Sequence, residues 1–193
     1  MAALGKVFRE RDEYYTPPIL SDMIVPFLED FAIRSNKEPK KLRVLCPFDT
    51  EHSAFVHSLR GFDVTHSHID QGKNQRDFFS YWSNEIREFD VVVSNPPFSK
   101  KLEIFQRLYE AEVPFAMLMN LMILNYEIVG RFFLNHPLQL LIPTRRVSFD
   151  GNQSSFNTAY FCFKFLGPRD VVFHDLPNNN AGKFFIGSPQ LKQ

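Results

Sequence analysis

Apolar residues recur at helical spacing over 16–31, where Leu20, Met23, Ile24, Phe27, Leu28 and Phe31 share one stripe. Thr16-Pro17 opens this segment as a helix start, and Pro26 predicts a kink within it. A polar, basic loop follows over 34–41. From there the pattern alternates. Short apolar runs at 42–46, 62–69, 89–94, 113–119 and 138–142 read as strands. The segments 51–60, 77–87, 100–110 and 122–134 between them read as helices, with a loop at 71–74. Three valines in a row, Val91 to Val93, predict a strand buried on both faces. After 142 the pattern changes to two β segments, 145–149 and 159–166, around a polar loop at 150–158.

Strands that alternate with helices predict an α/β fold, a mostly parallel, doubly wound sheet covered on both faces. The closing β pair predicts an antiparallel edge strand near the C-terminus. A single domain over 1–176 is expected, with a first helix and loop at 13–41, an α/β core at 42–142 and C-terminal β segments at 143–176. The stretch 177–193 reads as a weakly structured tail. In such a sheet a ligand sits beyond the carboxyl ends of the strands. Those ends carry Asp49 after the first strand, Asp70 after the second, and Asn95-Pro96-Pro97-Phe98 after the valine strand.

Consecutive prolines remove two backbone donors and hold the chain extended. The Asn95 side chain and the carbonyl of Asn95 or Pro96 are then acceptors without a neighbouring amide to serve them. An exocyclic amino group satisfies two acceptors at once, and Phe98 offers a face on which a planar base can stack. Together they suit a flipped-out, amino-bearing base. Such an amine is a poor nucleophile, and fixed acceptors favour its reactive geometry. No Ser/His/Asp or Cys/His constellation is needed for this chemistry.

The run FDVVVSNPPFS resembles motif IV of the S-adenosylmethionine-dependent amino methyltransferases, especially the small phage and restriction-modification DNA N6-adenine enzymes with the (D/N/S)-P-P-(Y/F) signature. The resemblance extends over about 13–166. Tyr14-Tyr15-Thr16-Pro17 resembles the N-terminal motif that contacts the methionine part of the cofactor. Val44-Leu45-Cys46-Pro47-Phe48 resembles the start of the cofactor loop. Asp70 stands where the family's ribose-binding acid stands, and Asp77-Phe78 resembles the pair that holds the cofactor adenine. The resemblance implies a Rossmann-like class I methyltransferase that binds S-adenosyl-L-methionine and methylates N6 of adenine in DNA. Asn95, Pro96, Pro97 and Phe98 would form the catalytic turn. Tyr15, Thr16, Pro47, Phe48, Asp49, Asp70, Asp77 and Phe78 would frame the cofactor. Two departures stand out. Cys46 replaces the family's acid before Pro-Phe, and the loop Asp49-Thr50-Glu51-His52-Ser53 has no glycine. A third strand is also hard to place between 71 and 88, and no separate target-recognition domain is expected within a length of about one domain.

Other readings compete residue by residue. Asp49, Asp70 and Asp77 could be helix caps or turn residues, and Thr16 could simply cap its helix. RNA adenine and protein glutamine amide suit the same turn, and a fold that has lost catalysis would be a binding protein. His68-Ile69-Asp70 with His136 or His174 matches the ligand set of a non-haem iron site, but such sites belong to all-β barrels. Gly72-Lys73 lacks the spacing of a phosphate loop. The 22 phenylalanines are mostly core by expectation; Phe156 and Tyr160 flank the late loop, where they could touch substrate, and packing is their expected role as well.

Charge sharpens the partner question. Lys+Arg and Asp+Glu both number 22, so the net charge is zero, which weighs against a strongly basic nucleic-acid binder. The total hides a split, however. Residues 131–193 carry seven basic and three acidic side chains, and residues 1–130 carry fifteen and nineteen. The late segment, with Arg145 and Arg146 as candidate phosphate contacts, is the expected side for a nucleic-acid partner. Two cysteines, Cys46 and Cys162, exclude a disulfide scaffold and a cysteine-rich zinc site. No metal is expected. The charged N-terminus and the lack of a long apolar run predict neither signal peptide nor membrane span. A cytoplasmic location, in a bacterium or a phage-infected cell, is the expectation.

Overall fold

The computed structural model describes residues 15–149 and 155–177. The first helical segment is split. α1 (Pro18–Met23) ends at Ile24, and α2 (Val25–Arg34) begins with Pro26 in its first turn. Pro26 has no N–H to continue the ladder, so the anticipated kink is a full break. There follow β1 (Arg43–Cys46), α3 (Ala54–Ser58), β2 (Asp63–His66), α4 (Ser83–Ile86), β3 (Val91–Ser94) and α5 (Lys101–Glu110). Then come β4 (Phe115–Asn120), α6 (Glu127–Phe133), β5 (Gln139–Pro143), β6 (Val147–Ser148), β7 (Ser155–Phe156), β8 (Thr158–Phe163) and β9 (Val171–His174).

Seven strands form one sheet in the order β2-β1-β3-β4-β8-β5-β9. β8 runs antiparallel to β4 and β5, and the other pairs are parallel. The mostly parallel, doubly wound sheet is therefore as expected. The antiparallel strand is not at the edge, however. β8 is buried along its whole length, and so apolar a strand belongs between two neighbours. The edge is β9, a strand not foreseen, whose alternating burial marks a half-exposed position. Of the segment 145–149 only Val147 and Ser148 are extended, paired with β7 in a separate two-stranded ladder. The expected helix at 77–87 is a 3-10 turn (Phe78–Ser80) followed by the single turn of α4. In place of a third strand, one parallel bridge joins His68 and Gln75.

Two cores cover the two faces of the sheet. One gathers Leu20, Leu28, Phe31 and Phe55 from α1 to α3 against Val44, Cys46, Val91, Val93 and Tyr160. The other gathers Ile86, Phe105, Leu108 and Val129 from α4 to α6 against Leu45, Val92, Phe115 and Phe161. Successive strand residues point to opposite faces, which is why Val91 and Val93 join one core and Val92 the other. Tyr160 carries a polar group into the first core, where its hydroxyl donates to the Leu20 carbonyl at 2.6 Å. That bond joins α1 to β8 across 140 residues of chain. No helix among the described residues is long and apolar enough to cross a membrane.

Candidate functional site

β1 lies between β2 and β3, so the chain leaves it toward one side and returns on the other. The crevice at such a reversal is where open α/β sheets bind ligands. A cleft of about 1200 Å³ opens there, above the carboxyl ends of β1, β2 and β3. This exceeds the ~300–1,000 Å³ of an ordinary small-molecule pocket. Eleven of the sequence-derived site residues line it: Tyr15, Thr16, Pro47, Phe48, Asp49, Asp70, Asp77, Phe78, Asn95, Pro97 and Phe98. Pro96 is buried behind them. Arg145 and Arg146 are exposed and lie past the end of β5, outside the cleft lining. Arg145 donates to the Pro177 carbonyl at 2.8 Å. Tyr14 lies outside the described residues.

The loop after β1 manages without glycine because hydroxyls shape it. Ser53 Oγ accepts from the Thr50 amide at 2.9 Å, and Thr50 Oγ1 accepts from the His52 amide at 3.3 Å. The Ser53 amide donates back to the Thr50 carbonyl at 3.0 Å. Among the described residues positive φ occurs at Asn36, Gly72, Glu112 and Lys164, none of them in this loop. The turn is thus open to ordinary residues, and the missing glycines leave it intact. Gly72 does meet that requirement in the loop after β2, at φ 74°. Beside it, Glu51 Oε2 accepts from the Lys73 amide at 3.1 Å, tying the two loops together.

Asp49 is the most unusual group in the cleft. It is only 5% exposed, and its amide donates to the Ser67 carbonyl at 3.0 Å, extending the β1–β2 pairing. Its carboxylate accepts from Ser94 Oγ, the last side chain of β3, and Ser53 adds a second hydroxyl. Burial pushes the carboxyl up to about 7, and the two hydroxyls only partly oppose that shift. Burial raises the Cys46 thiol as well, aided by the nearby Asp49.

The far wall is braced from outside. Arg76 makes two bonds to Glu85, at 2.8 and 2.9 Å, and sits 3.6 Å from the Tyr81 ring centroid. Between these anchors Asp77 Oδ1 accepts from the Phe79 amide at 2.9 Å, so Asp77 caps its turn and lines the cleft together. Phe78 packs on Phe48 with ring centroids 5.1 Å apart. Across the cleft, Pro97 is extended at φ −61° and ψ 130°, and a 3-10 turn (Phe98–Lys100) follows. Lys101 Nζ donates to the Phe98 carbonyl at 3.1 Å.

Several contributors were not foreseen. Ser94 holds Asp49, and Asp22 lines the cleft with Ser58, whose hydroxyl donates to Asp22 Oδ1 at 2.5 Å. His68, expected only as a member of the iron-type set, also lines the cleft, with Nδ1 accepting from the Gln71 amide at 3.1 Å. Single polar residues leave no periodic signal; Ser94 and His68 stand at strand ends, whereas Asp22 and Ser58 lie within α1 and α3 and carry no signal in the sequence. The iron-type triad is not assembled. His136 stacks on Phe132 at 4.0 Å and His174 meets Phe27 edge-on, and neither lines the cleft.

The donor set suits a cationic nucleoside cofactor. Four carboxylates (Asp22, Asp49, Asp70 and Asp77) line the cleft, with aromatic faces at Phe48 and Phe78 and the exposed carboxyl of Asp70 at the end of β2. No protein-family model and no curated protein matches the chain. Among solved structures, the chain is similar in shape to a predicted O-methyltransferase from Agrobacterium tumefaciens, protein Atu636. The TM-score is 0.47 at 10% identity, over 83% of this chain and 86% of that one.

Proposed function

We propose that the protein binds S-adenosylmethionine in this cleft and methylates the exocyclic amino group of an adenine in DNA. One observation carries the reading: the acid-lined, aromatic-walled basin and the Asn95-Pro96-Pro97-Phe98 turn meet in a single cleft at the switch point of the sheet. When bound, the cofactor supplies an electrophilic methyl group on a positively charged sulfur. Asp49 and Asp22 offset that positive charge and the charge of the cofactor's amino group. Asp70 accepts from its ribose hydroxyls, and Phe48 and Phe78 hold its base.

On the other side the turn orients the acceptor. Asn95 Oδ1 and the Pro96 carbonyl take the two N–H bonds of the adenine amino group, and the face of Phe98 holds the flipped base. As the N–CH3 bond forms and the bond from the methyl group to sulfur breaks, these acceptors stabilise the positive charge that develops on nitrogen through their hydrogen bonds, and the extra proton is then lost to water. The apolar wall and the two prolines, which carry no N–H, keep competing donors away.

Asn95→Ala separates the two halves of the cleft. Titration calorimetry with S-adenosylmethionine should give the same affinity for variant and wild type, while methyl transfer to DNA is abolished. An active Asn95→Ala enzyme overturns the assignment. Parallel reactions with RNA and with a glutamine-containing peptide test the acceptor, since label in either one and none in DNA redirects the reading.

A further inference from the structure

The carboxyl-end rim of the sheet continues beyond the turn to Lys101 and Tyr126. Lys101 opens α5, and its Nζ reaches both the Phe98 carbonyl, at 3.1 Å, and the Tyr126 ring, 5.8 Å from the centroid. Tyr126 follows the 3-10 turn (Leu121–Asn125) that continues from β4, and it is 54% exposed. Its backbone is firmly held. The Tyr126 amide donates to the Ile123 carbonyl at 3.0 Å, and its carbonyl accepts from the Val129 and Gly130 amides at 2.9 Å each. The turn before it is capped by Asn120 Oδ1, which accepts from the Met122 amide at 2.9 Å. A fixed backbone thus presents an aromatic ring to water, with an ammonium over it and one ammonium donor already spent on the catalytic turn. An ammonium has three donors, so two stay available.

Charge gives the direction. Four carboxylates line the cleft and repel a polyanion, while Lys100, which lines it at the end of the turn that begins with Phe98, and Lys101, which follows as the first residue of α5, are the cations beside that turn. A phosphate chain that delivers a base to Phe98 therefore meets the lysines first.

Building on the function proposed above, we infer that Tyr126 and Lys101 form a nucleic-acid subsite. Tyr126 stacks on the base next to the one held by Phe98, and Lys101 joins that stack to the turn while facing the connecting phosphate. Stacking on an exposed ring is tolerant of sequence. The subsite therefore grips an unstacked strand and reads no base.

The test is fluorescence anisotropy with a labelled, mixed-sequence single-stranded DNA of about twelve nucleotides and its duplex. The full chain is used, saturated with the demethylated cofactor so that no transfer occurs. Wild type is expected to bind both probes, the single strand more tightly. Tyr126→Ala should weaken single-strand binding by roughly 5- to 100-fold, and Tyr126→Phe should match wild type. Tyr126→Leu, which keeps apolar bulk without an aromatic face, should follow the alanine variant. Lys101→Met should weaken binding and lower the salt slope by about one unit. If Tyr126→Ala and Tyr126→Leu bind like wild type, the subsite is refuted while the proposed activity stands. If wild type binds the cofactor and neither DNA, the subsite and the nucleic-acid substrate fall together.

Discussion

Asp49→Asn should make the protein more stable and, on the proposed function, weaken binding of S-adenosylmethionine, with both effects set by pH. The wild-type carboxyl is 5% exposed, and its pKa moves from 3.8 to about 7 on folding. A rise of about three pH units at ~1.4 kcal/mol each places the cost of burying the charge near 4 kcal/mol as an upper bound. The sign follows from proton binding. Between about pH 4 and 7 the folded protein keeps a proton that the unfolded chain has released. Stability therefore falls as pH rises through that window and levels off above it. Asparagine does not titrate, and its Oδ1 can still accept from Ser94. The stability advantage of Asp49→Asn should accordingly widen by about 2–3 kcal/mol between pH 5 and pH 8. Urea unfolding of both proteins at pH 5, 6, 7 and 8 measures it. Calorimetry over the same range should show wild-type affinity for S-adenosylmethionine rising through pH 7, as Asp49 ionises opposite a cation. The variant should bind weakly and without that rise. A stability gap that is equal at pH 5 and pH 8 refutes the reasoning.

Other substitutions probe the scaffold. Gly72→Ala places a Cβ 2.6 Å from Glu51 Oε2 on a backbone at φ +74°. It should cost about 2–3 kcal/mol in denaturant unfolding and weaken cofactor binding, as left-handed strain adds to the loss of the Glu51–Lys73 bond; a neutral variant contradicts the brace. Tyr160→Phe strands the buried Leu20 carbonyl and should cost about 1–2 kcal/mol, with cofactor affinity unchanged in the same calorimetry. Thr50 and Ser53 replace glycine as the shapers of the first loop. The double variant Thr50→Ala/Ser53→Ala should therefore lose cofactor affinity while its circular dichroism stays that of the wild type.

Much of the site was readable because its chemistry is local. Val91 to Val93 announced a doubly buried strand, and the Asn-Pro-Pro-Phe turn followed from two residues that cannot donate. The acids at 49 and 70 follow from what lies past each strand, whereas Asp77 was legible only through the resemblance of Asp77-Phe78 to a cofactor motif. What escaped depended on contacts across the chain. Nothing in the run 159–166 tells whether its strand lies at the edge or between β4 and β5, because that is decided by which neighbours cover it. β9 was short, and its valines and phenylalanine read as little in isolation. The loop after β1 turns without glycine because the hydroxyls of Thr50 and Ser53 accept from its amides, a pattern that depends on the folded loop and not on composition. Ser94 was part of a strand pattern, and only its contact with Asp49 gives it a role.

The central claim is amino methylation of adenine in DNA. The full-length protein is incubated with S-adenosylmethionine carrying an isotope-labelled methyl group and with single-stranded and duplex DNA. The DNA is then digested to nucleosides and analysed by mass spectrometry. The account predicts label in N6-methyladenine, and none with Asn95→Ala. A wild-type protein that binds the cofactor yet leaves every adenine unlabelled contradicts it.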